Sequence, residues 1–325
     1  MSQEIKITML GAKGVGKTSL LTAMYDQFEN TVGTTNLQLI PDLKSSARLQ
    51  EKLGQLKSLL DDFEATGGLQ GDTDFTSYTF NFGKKGSKPS MSLKFEDYKG
   101  GYLGGKNISD QNKIQEILNK SGILLIVIDT PALIEKKGRY HDLINRPQQI
   151  KDFIARAFQD LKEPRLIIFV PIKCETYLKN EQSKKELLRR VREGYSTLLG
   201  FLNSDLVYPW VASVITPVQT VGTVVFSDMD VIKEGGKEYP HFKFHKIYHD
   251  AQYSPKDSEQ PFRYILRFLL KLELYNRDYH WGPFRFIRAF FNLDQDLKQA
   301  AQKVAENCKS NPKDGFVVLQ GEKYL

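Results

Sequence analysis

The fold turns on MLGAKGVGKTSLL, Met9 to Leu21, which sits between a strand-like and a helix-like segment. Before it, Ile5, Ile7 and Met9 alternate with polar residues, the period of a strand; after it, SLLTAMYDQF has the apolar spacing of a helix. GAKGVGKT, Gly11 to Thr18, satisfies GxxxxGK[ST] in full. Glycines let backbone amides turn inward as an anion cradle. Lys17 reaches terminal phosphates, and Thr18 offers a hydroxyl to magnesium at a helix N-terminus. The expected nucleotide contacts are Gly11, Ala12, Lys13, Gly14, Val15, Gly16, Lys17, Thr18 and Ser19.

Strand-like and helix-like segments alternate beyond the loop, which predicts an α/β fold with a largely parallel sheet covered on both faces. Tyr78, Phe80 and Phe82, then Met91, Leu93 and Phe95, form two period-two sets joined by the turn-rich GKKGSKPS, an antiparallel hairpin. GILLIVI at Gly122, RLIIFV at Arg165 and YPWVASVI at Tyr208 read as buried strands. The expected sheet is doubly wound, mostly parallel and six-stranded, with about six strands being a usual sheet size. The predicted organisation is a domain over residues 1–282, with a helical insertion at about 38–72 and a hairpin insertion at about 222–258, then a C-terminal helical extension over 283–325.

In the helical insertion, Leu49, Leu53, Leu56, Leu60 and Phe63 form one stripe, suited to packing on its own domain or to a partner helix. Four of the five histidines, His241, His245, His249 and His280, fall at or after the second insertion; without a carboxylate cluster beside them they read as surface residues.

Composition removes several classes. The 325 residues are 40% hydrophobic, enough for a substantial core. A net charge of +7 over that length is no nucleic-acid signature, and the cluster Lys184, Lys185, Arg189, Arg190 and Arg192 reads first as a solvated helix face. GILLIVI, the longest apolar run, is about a third of the ~20 residues a membrane-spanning helix needs, so no span is expected. MSQEIKITML has no secretory pattern, and Cys174 and Cys308 form no CxxC pair. Cytoplasmic residence is the expectation.

Two further motifs carry chemistry. In MSLKFEDYKGG an apolar strand ends in Asp97, placed to hold magnesium through water, and Gly100 follows three positions on, where an amide can sense a terminal phosphate. After RLIIFV comes PIKCE, with Lys173 and Glu175 spaced as in guanine-reading NKxD or TKxD. A carboxylate there can accept from N1 and N2 of guanine, donors that adenine lacks on that edge, while the Lys173 stem lies along the base.

With GAKGVGKT, DYKG and IKCE in this order, the chain resembles the Ras-like P-loop GTPases over residues 1 to about 275. The long helical insertion, IKCE and TPVQTVG at Thr216 to Gly222 look like the bacterial double-GTPase group, whose members occur with companion GTPases in conflict or defence systems. The resemblance implies GTP or GDP with Mg2+, a switch output through a protein effector or companion GTPase, and Thr216 at the fifth motif. It also implies a switch threonine within ENTVGTTN that ligates magnesium with Thr18 and Asp97. Thr31, Thr34 and Thr35 compete; distance from Lys17 favours Thr35.

Catalysis is the irregular part. Such enzymes take a water-orienting glutamine from the residue after DxxG, and here that residue is Gly101, which implies slow intrinsic hydrolysis. An arginine from a partner is worth roughly 10³ to 10⁵ in rate. Lys13 stands where Ras-like loops carry glycine: it either obstructs such an arginine, or supplies charge itself, or is merely solvated. The catalytic candidates are Lys17, Lys13 and Gly100. The rivals are an ATP-dependent phosphotransferase or ATPase using the same loop, and a pseudo-GTPase scaffold that holds nucleotide without turnover.

Overall fold

A computed structural model describes residues 4–33, 35–65, 69, 76–97, 108–234, 237–275, 284 and 295–325. At its centre are β1 (Glu4–Leu10), β5 (Ile123–Asp129) and β6 (Arg165–Ile172). β5 and β6 are buried along their whole length, so both faces must be apolar and they read as continuous runs. The other members are β2 (Leu37–Pro41), β3 (Thr76–Lys84), β4 (Met91–Asp97), β7 (Val211–Ile215) and β10 (Val317–Gln320), in the order β10-β7-β6-β5-β1-β4-β3-β2. From β4 to β7 neighbouring strands are parallel; β2, β3 and β10 add antiparallel edges.

The sheet therefore has eight strands, not the six expected. All six predicted strands are present. Of the additional two, VVLQ lies in FVVLQG, which reads in the sequence as a short strand after the polar C-terminal helix and here joins the main sheet as an edge, whereas LQLIP is an edge strand of five residues, too short for alternation to stand out from the helical sequence beside it. A separate two-stranded ribbon, β8 (Val224–Glu234) with β9 (Lys237–Lys246), forms the predicted hairpin insertion.

Helices cover both faces. On one lie α1 (Lys17–Val32) and α9 (Gln260–Tyr275) with the helix Gln295–Glu306, closing a core that includes Ile7, Met24, Phe80, Phe262 and Ala301. On the other lie α3 (Ile108–Lys120), α6 (Pro147–Ala157), α7 (Glu181–Gly194) and α8 (Ser196–Leu202), around Ile126, Ile154, Phe169 and Leu187. Helix α2 (Leu43–Ser58) starts at Asp42, whose carboxylate caps the Ser45 amide, and packs on α1. Its Leu49, Leu53 and Leu56 are buried, so the stripe seals the protein's own core.

Three of the five basic residues of α7 are matched by carboxylates on the same helix, Arg189 with Glu186 and Glu193, Lys185 with Glu181, Arg190 with Glu186, and Lys184 lies 3.9 Å from Asp314. That is a solvated, charge-balanced face. Phe284 opens the stretch FRFIRAFF, Phe284 to Phe291, whose aromatic and arginine spacing in the sequence suits a docking helix or, first, core packing; it alone of that stretch is among the described residues, and it is buried with its ring against Gly122. Among the described residues no helix is long and apolar enough to cross a membrane, and no group of three or more His, Cys, Asp or Glu could hold a metal ion.

Candidate nucleotide site

The loop between β1 and α1 has the backbone its glycines were chosen for. Gly14 and Gly16 lie at φ 83° and 114°, a region L side chains rarely adopt, and a Cβ on Gly16 would come within 2.4 Å of Ile172 Cδ1. Gly16 is also the N-cap of α1 and supplies no side chain to it, so an anion is the natural partner for that end of the helix. Ala12 and Val15 are buried, Ser19 is half-buried, and Lys13 and Gly14 face solvent.

Lys17 folds back into the loop. Its Nζ donates to the carbonyls of Gly11 at 3.0 Å and Ala12 at 3.4 Å and lies 3.6 Å from Asp97 Oδ1. Burial lowers its pKa, and the Asp97 carboxylate works against that shift. Thr18 Oγ1 donates to Asp97 Oδ2 at 3.0 Å, so the first turn of α1 and the end of β4 present one hydroxyl and one carboxylate side by side. Mg2+ in phosphate sites is held by one or two protein oxygens, with phosphates and waters completing the shell. This donor pair fits that ion, and Thr18 and Asp97 are the residues that would hold it.

Lys173 approaches from the end of β6. At φ 53° it bends back toward the loop, its Nζ donating to the Gly14 carbonyl at 3.3 Å and to Asp129 Oδ2 at 2.6 Å. Asp129 ends β5 and was not anticipated from sequence; the signal was a lone carboxylate closing ILLIVID, at a strand end like Asp97. It is fixed by Asn145, which accepts from the Asp129 amide at 2.8 Å and donates to its carbonyl at 3.0 Å. Behind Asn145 lies His141, whose pKa burial lowers. A neutral ring with Nε2–H facing the Gly194 carbonyl and Nδ1 accepting from Asn145 satisfies every partner.

Glu175 is buried, with 9% of its surface left exposed. Its Oε1 accepts from the Gly222 amide at 3.2 Å, and burial raises its pKa to about 7, with the surrounding backbone amides and Lys173 opposing. Gly222 must be glycine: its φ is 81°, and a Cβ there would lie 1.7 Å from the Ser254 carbonyl oxygen. TPVQTVG thus meets Glu175 through Gly222. Thr216 is buried, its amide bonded to Phe169 O at 2.9 Å as an extension of the sheet.

Of the switch-threonine candidates, Thr31 and Thr35 are among the described residues, and neither hydroxyl bonds to this cluster. Thr31 lies within α1, its hydroxyl on the Gln27 carbonyl, and Thr35 follows that helix with its hydroxyl on Val32 O. At 16 residues and about 1.5 Å per residue, α1 carries Thr35 roughly 24 Å from Lys17. Thr34, Gly100 and Gly101 lie outside the described residues. β2 and α2 then carry the chain on to β3: Leu37 pairs with Lys84 at one end of that strand, whereas Thr76 pairs with Asp97 at the other. Thr76 is therefore the threonine that the sheet register places beside Asp97. The hairpin prediction contained this signal, because the strand antiparallel to β4 has to begin opposite Asp97.

No family model matches the chain, and no curated protein matches it. Among solved structures it is similar to the S. cerevisiae Ski7 GTPase-like domain, solved with GDP and inorganic phosphate, at 18% identity and a TM-score of 0.39. That similarity covers 67% of this chain and 43% of that one, so the chain spans less than half the length of the protein it matches.

Proposed function

We propose that the chain binds GTP and GDP with Mg2+, hydrolyses GTP slowly, and passes the state of its nucleotide to a protein partner. The observation that carries this reading is the convergence of three separate sequence motifs at one end of the sheet: Lys17 and Thr18 on Asp97, and Lys173 on the carbonyl of Gly14. Chance matches to short patterns do not converge in this way. The companion-GTPase class named by the sequence resemblance is the partner proposed.

In this account Lys17 exchanges its bonds to Gly11, Ala12 and Asp97 for phosphate oxygens, and the first-turn amides of α1 receive the anion. Bound Mg2+ would neutralise developing phosphate charge. Thr18 and Asp97 position it, and Lys173, held by Asp129, supports the base. Phosphoryl transfer depends mainly on positioning and electrostatics, so a cation near the transferred group is worth more than any covalent role.

Lys13 is the exposed cation on the loop, next to Gly14. We assign it the charge-supplying role. Lys13→Ala is expected to lower multiple-turnover phosphate release from GTP by about tenfold or more while leaving GTP affinity within about twofold of wild type. Phosphate release and equilibrium titration on the same preparations test this. A rise in turnover would assign Lys13 as an obstruction instead, and no turnover in wild type, with or without a companion protein, would leave a scaffold that only holds nucleotide.

A further inference from the structure

The β8–β9 ribbon takes no part in the main sheet, yet it is fastened to the base end of the site. Thr176, next to Glu175, donates through Oγ1 to Phe226 O at 3.4 Å, and the Tyr177 and Phe226 rings stack at 6.5 Å. From the other side, the segment after α2 runs antiparallel along β9. The Ala65 amide donates to Phe244 O and the Lys246 amide to Phe63 O, both at 2.9 Å. Two insertions far apart in sequence thus interlock here. Between them the half-buried Phe244 ring lies with its centroid 5.9 Å from Lys173 Nζ.

We propose that this ribbon is a lid over the nucleobase and that Phe244 is its base-contacting residue, packing on the base opposite the Lys173 stem. The proposal rests on the nucleotide-binding reading above. Lys173 is held by Gly14 and Asp129, so the ring faces a cation whose position is fixed by the phosphate loop itself. A base sandwiched between stem and ring needs about 7 Å, two carbon contacts of about 3.5 Å each. The ring and the Lys173 ammonium now approach each other beside the space such a base would take, so the ring moves aside when the base enters, and a ribbon outside the main sheet can tilt without disturbing it. Nucleotide release then requires the lid to open.

Phe244→Ala is expected to weaken GDP and GTP binding by about 5- to 100-fold, chiefly through faster release, the range that loss of one base–aromatic stack produces. Binding of inorganic tripolyphosphate, which has no base, should not change. Phe244→Trp should retain tight binding, and its fluorescence should change on adding GDP but not tripolyphosphate, which also controls for folding. GDP release from Phe244→Ala at the wild-type rate, or an equal loss of GDP and tripolyphosphate binding, would overturn the lid while leaving nucleotide binding intact. Failure of wild type to bind guanine nucleotide would overturn the reading beneath it.

Discussion

Lys17→Ala is expected to reduce GTP affinity by two to three orders of magnitude. The Lys17 ammonium is buried and already desolvated, so its contact with phosphate oxygens forms in a medium of low dielectric, where a charge-assisted pair is worth about 2 to 5 kcal/mol. The substitution also leaves the buried Asp97 carboxylate without its neighbouring cation. Thr18 and the partners at the sheet edge remain, so the fold should survive with a modest loss of thermal stability. Calorimetric titration with GTP, alongside circular dichroism, separates the two effects. An affinity within threefold of wild type would mean that Lys17 does not reach the phosphates.

Glu175→Gln should do two opposite things: raise stability at pH 8 and abolish base discrimination. The folded-state pKa of Glu175 is raised to about 7 from 4.5 by burial, so the folded protein holds this proton more tightly than the unfolded chain. Stability from that proton is fully present below about pH 4.5 and is lost as pH rises to about 7; above that the fold carries a buried charge costing about 3 kcal/mol. Glutamine carries no such charge and can still accept from the Gly222 amide. The variant should melt several degrees above wild type at pH 8, and the gain should vanish near pH 4.5. Its base preference should fall by about a hundredfold, because an amide presents a donor where guanine also donates. Wild-type GTP affinity should decline from pH 8 to pH 6 as Glu175 protonates, and the variant's should stay flat. Melting curves and GTP titrations across this pH range check both halves. A variant less stable at pH 8, or one still selective for GTP, would contradict the assignment.

Much of this was legible in the sequence, for local reasons. The phosphate loop shows because its glycines answer to backbone geometry within eight residues, and the central strands show because burial on both faces demands unbroken apolar runs. β2 was hidden because an edge strand of five residues needs only one apolar face, and β10 was legible as a short strand but not as a member of the main sheet, because its pairing with β7 spans about a hundred residues of chain. The place of Thr35 has a longer-range cause: its closeness in sequence to Lys17 says nothing of closeness in space, because the 16-residue α1 carries the chain away from the loop before Thr35 is reached. Asp129 and Phe244 escaped for the same cause. Each gains its meaning from Lys173, which lies 44 residues from Asp129 in the chain and meets Phe244 only across a folded insertion.

If Lys173 and Glu175 make the loop between β1 and α1 a guanine site, parallel titration of wild-type protein with GTP and ATP in Mg2+ at pH 8 reveals it. The expected result is one GTP site per chain, with ATP at least about a hundredfold weaker and GTP weakened when Mg2+ is chelated. ATP binding as tight as GTP would contradict it.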